Sequence, residues 1–234
     1  FFFSSRRRHT RSCLVSWVGD VYKRQYYDTW ATTLLWSIQH YAPWVNLHCH
    51  IVNPSNTLDK LDHVSYTTEE RDLSDPDVFS GYLQAVRFLK AYELFPNNEP
   101  VIVVDTDSIC THSFTKEQFD QVHLDHPVVL YKEKTSRWLA GFISMGSNTF
   151  RKDFHDLLMS KPIEEWAGFW DQTCLKQLND KHVFEKAPID WMSIGKNGNE
   201  SIFLTLKGEQ KELEKYLGNY LKVKTQIENS QSSD

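Results

Sequence analysis

The segment Val101-Ile-Val-Val-Asp-Thr-Asp-Ser-Ile109 constrains the chain most. Four consecutive apolar, β-branched residues predict a strand buried on both faces. The strand runs straight into Asp105 and Asp107. In an extended chain residues i and i+2 point the same way, so the spacing predicts two carboxylates converging at the carboxyl end of a buried strand. That end of an open α/β sheet is where ligands bind. Two hard oxygen ligands suit Mg²⁺ or Mn²⁺. A divalent ion there would hold a diphosphate and neutralise its charge as it leaves. A solvated acidic loop is the plainer reading of Asp-x-Asp alone; the buried strand before it and the helix cap after it argue for a metal or phosphate role.

Helices and strands alternate on either side of this segment. Trp30, Leu34, Leu35, Ile38 and Tyr41 recur at helical spacing over 28–41, and Val45–Val52 alternates as a strand. Residues 57–74 are polar and read as loop. Asp75-Pro76 starts a helix that carries one apolar face to about Leu94. Thr115-Lys-Glu-Gln118 has capping-box spacing. His126–Lys132 and Trp138–Met145 read as strands, Phe150–Leu158 and Asp171–Leu178 as helices, Ile189–Ile194 and Ile202–Leu206 as strands, and Glu209–Tyr220 as a last helix. The pattern predicts an α/β fold with a mixed, mainly parallel sheet flanked by helices.

Composition narrows the function classes. The chain of 234 residues is 40% hydrophobic and 24% charged, ordinary globular material of one domain. No apolar run reaches the length of a membrane span. Cys13, Cys49, Cys110 and Cys174 are scattered, which argues against a zinc site or disulfide framework and is compatible with a reducing, cytoplasmic setting. The first 25 residues differ from the rest: they hold six of the 26 basic residues (Arg6, Arg7, Arg8, Arg11, Lys23, Arg24) and one acid, Asp20. They resemble translated sequencing-adapter sequence and are set apart as a non-native segment. The remainder carries 20 basic and 30 acidic residues, net −10, which argues against a nucleic-acid partner. The expected organisation is therefore 1–25 set apart, one domain over 26–223 lacking its native first strand, and a disordered polar tail over 224–234.

The order of these segments resembles a GT-A-fold glycosyltransferase, the Rossmann-like nucleotide-diphospho-sugar transferase fold, and most the family-8 group. The resemblance runs from Tyr26 to Lys211. It is carried by Trp36-Ser-Ile38 before a strand, Arg87 in a helix one element before Asp-x-Asp, the Asp-x-Asp strand, Ala140-Gly-Phe-Ile-Ser144, the pair Asp171-Gln172, and Gly208 with Lys211 three residues on. It implies a hexosyl transfer from a nucleotide-diphosphate donor, a UDP-sugar, to an acceptor hydroxyl on a glycan, a lipid-linked carrier or a protein, assisted by Mn²⁺ or Mg²⁺. The lipid-linked case would bring the protein to a membrane through its acceptor. Asp105 and Asp107 would meet the metal and the donor. Arg87, Gly208 and Lys211 would meet the donor's diphosphate or sugar. Asp171 and Gln172 would lie near the anomeric carbon, in either a retaining or an inverting reaction.

Plainer roles compete at several positions: a surface charge or ion pair for Arg87, a solvated helix lysine for Lys211, a helix N-cap for Asp171. The family's third metal ligand, a His three residues before the late Gly, is Thr205 here. That departure keeps open a degenerate protein that binds sugar nucleotide or glycan without turnover. A phosphatase of the haloacid-dehalogenase kind, with Asp105 as nucleophile, is a further alternative. His48 and His50, two apart on one strand, are read as packed or exposed histidines rather than zinc ligands. Trp138, Trp166, Trp170 and Trp191 are read as core before sugar platforms. Asn199-Glu-Ser201 fits a glycosylation acceptor only in a secreted chain.

Overall fold

The computed structural model describes residues 12–18, 30–54, 61–95, 100–123, 125–166, 168–188, 190–194, 201–205, 225, 226 and 229. Ten strands are found among them: β1 (Ser12–Val18), β2 (Asn46–Val52), β3 (Val64–Glu69), β4 (Val101–Val104), β5 (Ser108–Cys110), β6 (Val128–Lys132), β7 (Arg137–Met145), β8 (Glu185–Lys186), β9 (Met192–Ile194) and β10 (Phe203–Thr205). Seven form one sheet in the order β3-β2-β1-β4-β7-β6-β8, and three form a small second sheet, β5-β10-β9. The first four strands of the large sheet are mutually parallel. β7 runs antiparallel to both β4 and β6. The mixed α/β architecture read from the alternation is therefore the one observed. The expected 209–220 helix lies outside the described residues.

The helices are α1 (Thr32–Tyr41), α2 (Pro76–Leu94), α3 (Lys116–Gln121), α4 (Asn148–Leu158) and α5 (Trp170–Leu178). Their starts follow the local chemistry. The Asp75 carboxylate accepts from the Asp77 and Val78 amides at 2.8 and 3.3 Å, with Pro76 in the first turn of α2. Thr115 and Gln118 satisfy each other's backbone N–H reciprocally at α3. β4 is buried on both faces, as its unbroken apolar run requires. Ile102 and Val104 pack with α1, Phe142 and Phe203; Val101 and Val103 pack with α2, Phe150 and Phe154. Trp166, Trp170 and Trp191 are core, and Trp138 is half-buried against it. No described helix is long and apolar enough to cross a membrane.

Three features differ from the sequence reading. Residues 64–69 form a strand, not a loop: Val64-Ser-Tyr-Thr-Thr-Glu is rich in residues that favour extended backbone, and its polarity is that of a sheet edge. β2 is not half-exposed; His48 and His50 are buried. His48 bonds Ser65 (2.8 Å) and Thr67 (2.9 Å), and His50 bonds Thr67 (2.8 Å). Finally, the centre of the sheet is occupied by β1, from within the segment set apart: β2 and β4 each pair with β1 and not with each other.

Candidate functional site

The Asp-x-Asp segment lies where the chain leaves the large sheet for the small one. The Asp105 N–H donates to the Gly141 carbonyl at 2.9 Å, extending the β4–β7 ladder by one residue. The Ser108 N–H then donates back to the Asp105 carbonyl at 3.0 Å. Residues 105–108 are therefore a turn. The expectation that extended geometry aligns the two carboxylates is corrected by this turn, which lets the chain cross between two sheets. The Trp36-Ser-Ile38 element braces the same region: Ser37 accepts from the Cys110 N–H at 2.9 Å and donates to the Leu34 carbonyl at 2.7 Å, tying α1 to β5.

Arg87 organises the site. It projects from α2 among buried Ala85, Val86 and Phe88. One guanidinium nitrogen meets Asp105 Oδ1 at 2.6 Å and the other lies 3.5 Å from Asp171 Oδ2. Burial works against the guanidinium's charge, but the pull of Asp105 and Asp171, with a smaller one from Asp107, leaves its pKa raised. Thus both acids of Asp-x-Asp act on Arg87, and the plain surface-charge reading of Arg87 is replaced by a buried bridge between two elements distant in sequence.

Asp171 is only 3% exposed. Burial raises its pKa, opposed by Arg87 and by the Gln172 amide, which donates to its Oδ1 at 2.7 Å. Asp171 is not the N-cap of α5; that position is Phe169, and Asp171 lies in the first turn, where a negative charge is favourable. The Gln172 side chain spans two backbone groups of β7, accepting from the Ala140 N–H (3.1 Å) and donating to the Trp138 carbonyl. β4 ends before these residues, so the amide takes the place of a neighbouring strand and fixes α5 to the sheet. Phe169, with φ +65° and ψ 27°, holds a left-handed backbone that bulky residues rarely adopt. Its N–H donates to Gln84 of α2 at 3.2 Å.

At the remaining positions the outcome is mixed. Thr205 is fully buried, and its hydroxyl is bonded to that of Ser108 at 2.6 Å, across the β5–β10 pair. Each hydroxyl thus has the other as a partner. Gly208 and Lys211 lie outside the described residues. Among the described residues no group of three or more His, Cys, Asp or Glu is arranged to hold a metal. Magnesium is often held by one or two carboxylates with the rest of its shell from water and substrate phosphates. Asp105 and Asp107 would supply two such carboxylates, with Asp105 Oδ1 already held by Arg87. Gln84, Phe169 and Ser108 were not singled out from sequence, since their roles depend on contacts between distant segments.

No protein-family model matches this sequence, and no curated protein matches it. Among solved structures, WbbM, a bifunctional glycosyltransferase in its apo form, is similar at a TM-score of 0.64 and 14% identity, over 94% of this chain and 50% of that one. The chain thus has the fold of a glycosyltransferase and spans about half the length of the protein it matches.

Proposed function

We propose that the chain transfers a glycosyl group from a nucleotide-diphosphate donor, a UDP-sugar, to an acceptor hydroxyl. The observation that carries this reading is the Asp105–Arg87–Asp171 bridge at the carboxyl end of β4. It unites the acid motif, the helix arginine and the Asp-Gln pair in one place, on a fold like that of a glycosyltransferase. Asp105 and Asp107 face the donor, and these carboxylates would hold Mn²⁺ or Mg²⁺ together with its diphosphate. When bound, that ion offsets the charge developing on the leaving diphosphate. Gly208 and Lys211 complete the donor contacts in this reading.

Arg87 holds Asp105 and Asp171 at fixed positions and presents a cation beside the breaking sugar–phosphate bond. Asp171 meets the reacting sugar. As a carboxylate whose protonated form is favoured by burial, it is suited to take the acceptor's proton, or to stabilise positive charge at the anomeric carbon. Gln172 holds Asp171 through its grip on β7. The test is calorimetric titration of UDP with and without Mn²⁺, wild type beside Asp105→Asn/Asp107→Asn. Binding that requires both Mn²⁺ and the two acids is expected. Metal-dependent binding that survives in the double variant would sink the assignment.

A second reading is favoured by one observation, the closed Ser108–Thr205 hydroxyl pair where the family has an imidazole. A protein that binds the donor without turning it over would show the same UDP titration but no release of UDP from a UDP-hexose.

A further inference from the structure

The described surface carries three large exposed hydrophobic side chains: Met159, Phe169 and Val183. Only Phe169 adjoins the site, and it differs from the others in its backbone. At 70% exposure its ring gains almost nothing from the core. Yet it occupies a left-handed conformation that glycine or asparagine would adopt far more easily. Nothing local requires a large residue there. Both backbone groups are tied: the N–H to the Gln84 side chain, and the carbonyl to the Thr173 N–H at 3.0 Å in the first turn of α5. A strained and exposed aromatic held by a rigid frame points to use rather than to folding.

Its position is set by the same two helices that build the site. Gln84 and Arg87 lie one turn apart on α2 and therefore on one face. Arg87 reaches Asp171, and Gln84 reaches Phe169 two residues before it. The exposed residue therefore stands at the start of α5, two residues before Asp171 and tied through its backbone to the helix that carries Arg87. A pyranose offers a flat face of C–H groups that packs on an aromatic ring, while its hydroxyls stay free to meet polar groups.

We propose that Phe169 is the acceptor platform: its ring stacks on the apolar face of a carbohydrate acceptor and presents one hydroxyl to Asp171. The inference rests on the glycosyl-transfer reading and deepens it, because it selects a sugar over a protein side chain or a lipid as the group that is modified.

The test is saturation-transfer NMR on the full chain with UDP and Mn²⁺ present. The probes are methyl β-D-galactopyranoside, methyl β-D-glucopyranoside and methyl α-D-mannopyranoside. At least one should receive saturation on the ring protons of one face. Phe169→Gly removes the ring and relieves the left-handed backbone. Its thermal midpoint should not fall and its UDP affinity should not change, while its affinity for that glycoside drops by about tenfold. Phe169→Trp should keep the saturation. A wild type that binds UDP but saturates none of the three glycosides overturns the proposal. So does a Phe169→Gly protein that binds the glycoside as well as wild type. A folded wild type that binds no UDP fails differently: it removes the donor reading, and the acceptor role with it.

Discussion

Replacing Arg87 with Met keeps much of the buried stem and removes the charge between Asp105 and Asp171. The guanidinium lies 2.6 Å from one carboxylate and 3.5 Å from the other, all three groups being largely shielded from water. At an effective dielectric near 20 each attraction is on the order of 5 kcal/mol before desolvation is subtracted. Taking one partner out of such a buried pair costs about 3–5 kcal/mol in folding free energy, because the remaining charge loses its counter-ion. In a chain of this length that lowers the thermal midpoint by about 10 °C. The loss must also depend on pH. The Asp171 pKa is raised in the fold, burial outweighing Arg87. This group therefore destabilises the folded state above its folded pKa, and the penalty fades as pH falls and the carboxyl takes a proton. Without Arg87 the penalty grows, so the gap between variant and wild type should narrow from pH 7.5 to pH 5. Urea unfolding at both pH values measures it. Arg87→Met/Asp171→Asn should recover about 1–3 kcal/mol relative to Arg87→Met alone, the coupling expected of residues in contact. A loss under about 1 kcal/mol, the same at both pH values and unaffected by Asp171→Asn, would refute the bridge, since exposed pairs are worth no more than that.

Two further outcomes follow from the sheet. Burial, with a smaller push from His50, holds the His48 pKa down to about 4, while burial's upward push on Glu69 is outweighed by the His50 imidazole 3.7 Å away and the Tyr82 hydroxyl, leaving it at about 2. His48 is thus kept neutral, and its contribution is lost as pH falls from about 6.5 to 4. The Glu69 contribution, present above about 4.5, is lost below that. Urea midpoints should decline across both windows, and His48→Gln should flatten the upper one by about 1–2 kcal/mol after solvent screening is allowed for; an unchanged slope between pH 6.5 and 4 would contradict this. Removing residues 1–25 deletes β1, which pairs with β2 at seven positions and with β4 at four. At about 1 kcal/mol net per hydrogen bond the loss is on the order of 10 kcal/mol, as large as the stability of a typical domain. A chain starting at Tyr26 should lose its cooperative unfolding transition by circular dichroism, and a sharp transition at the wild-type midpoint would show that β2 and β4 do not depend on this strand.

What was legible in the sequence was whatever local chemistry decides. Asp75-Pro76 and Thr115 with Gln118 cap helices using atoms within four residues of each other, so the signal is contained in the segment. The β4 run is equally plain, because burial on both faces leaves no room for a polar residue. β3 was missed because an edge strand needs no apolar run; its ladder comes from β2, and its Ser65 and Thr67 are polar because they serve His48 and His50. The site divides the same way. Asp105, Arg87 and Asp171 could be named singly, but their meeting at one guanidinium depends on the packing of α2 and α5 against the end of β4. The same residue types can also serve opposite ends. Gln172, expected at the reaction centre, binds the backbone of β7, and Thr205, at the place of an expected ligand, is closed by Ser108. Both cases have one cause: a polar group shielded from water, half-buried for Gln172 and fully for Thr205, must find a partner. In this fold the nearest one is a free strand edge for the amide and a facing hydroxyl for the threonine. Residue type therefore fixes what a side chain can bond, and the end of a neighbouring strand decides what it does bond. In the proposed reading the chemistry is left to the carboxylates and the guanidinium, whose charges burial alone cannot satisfy.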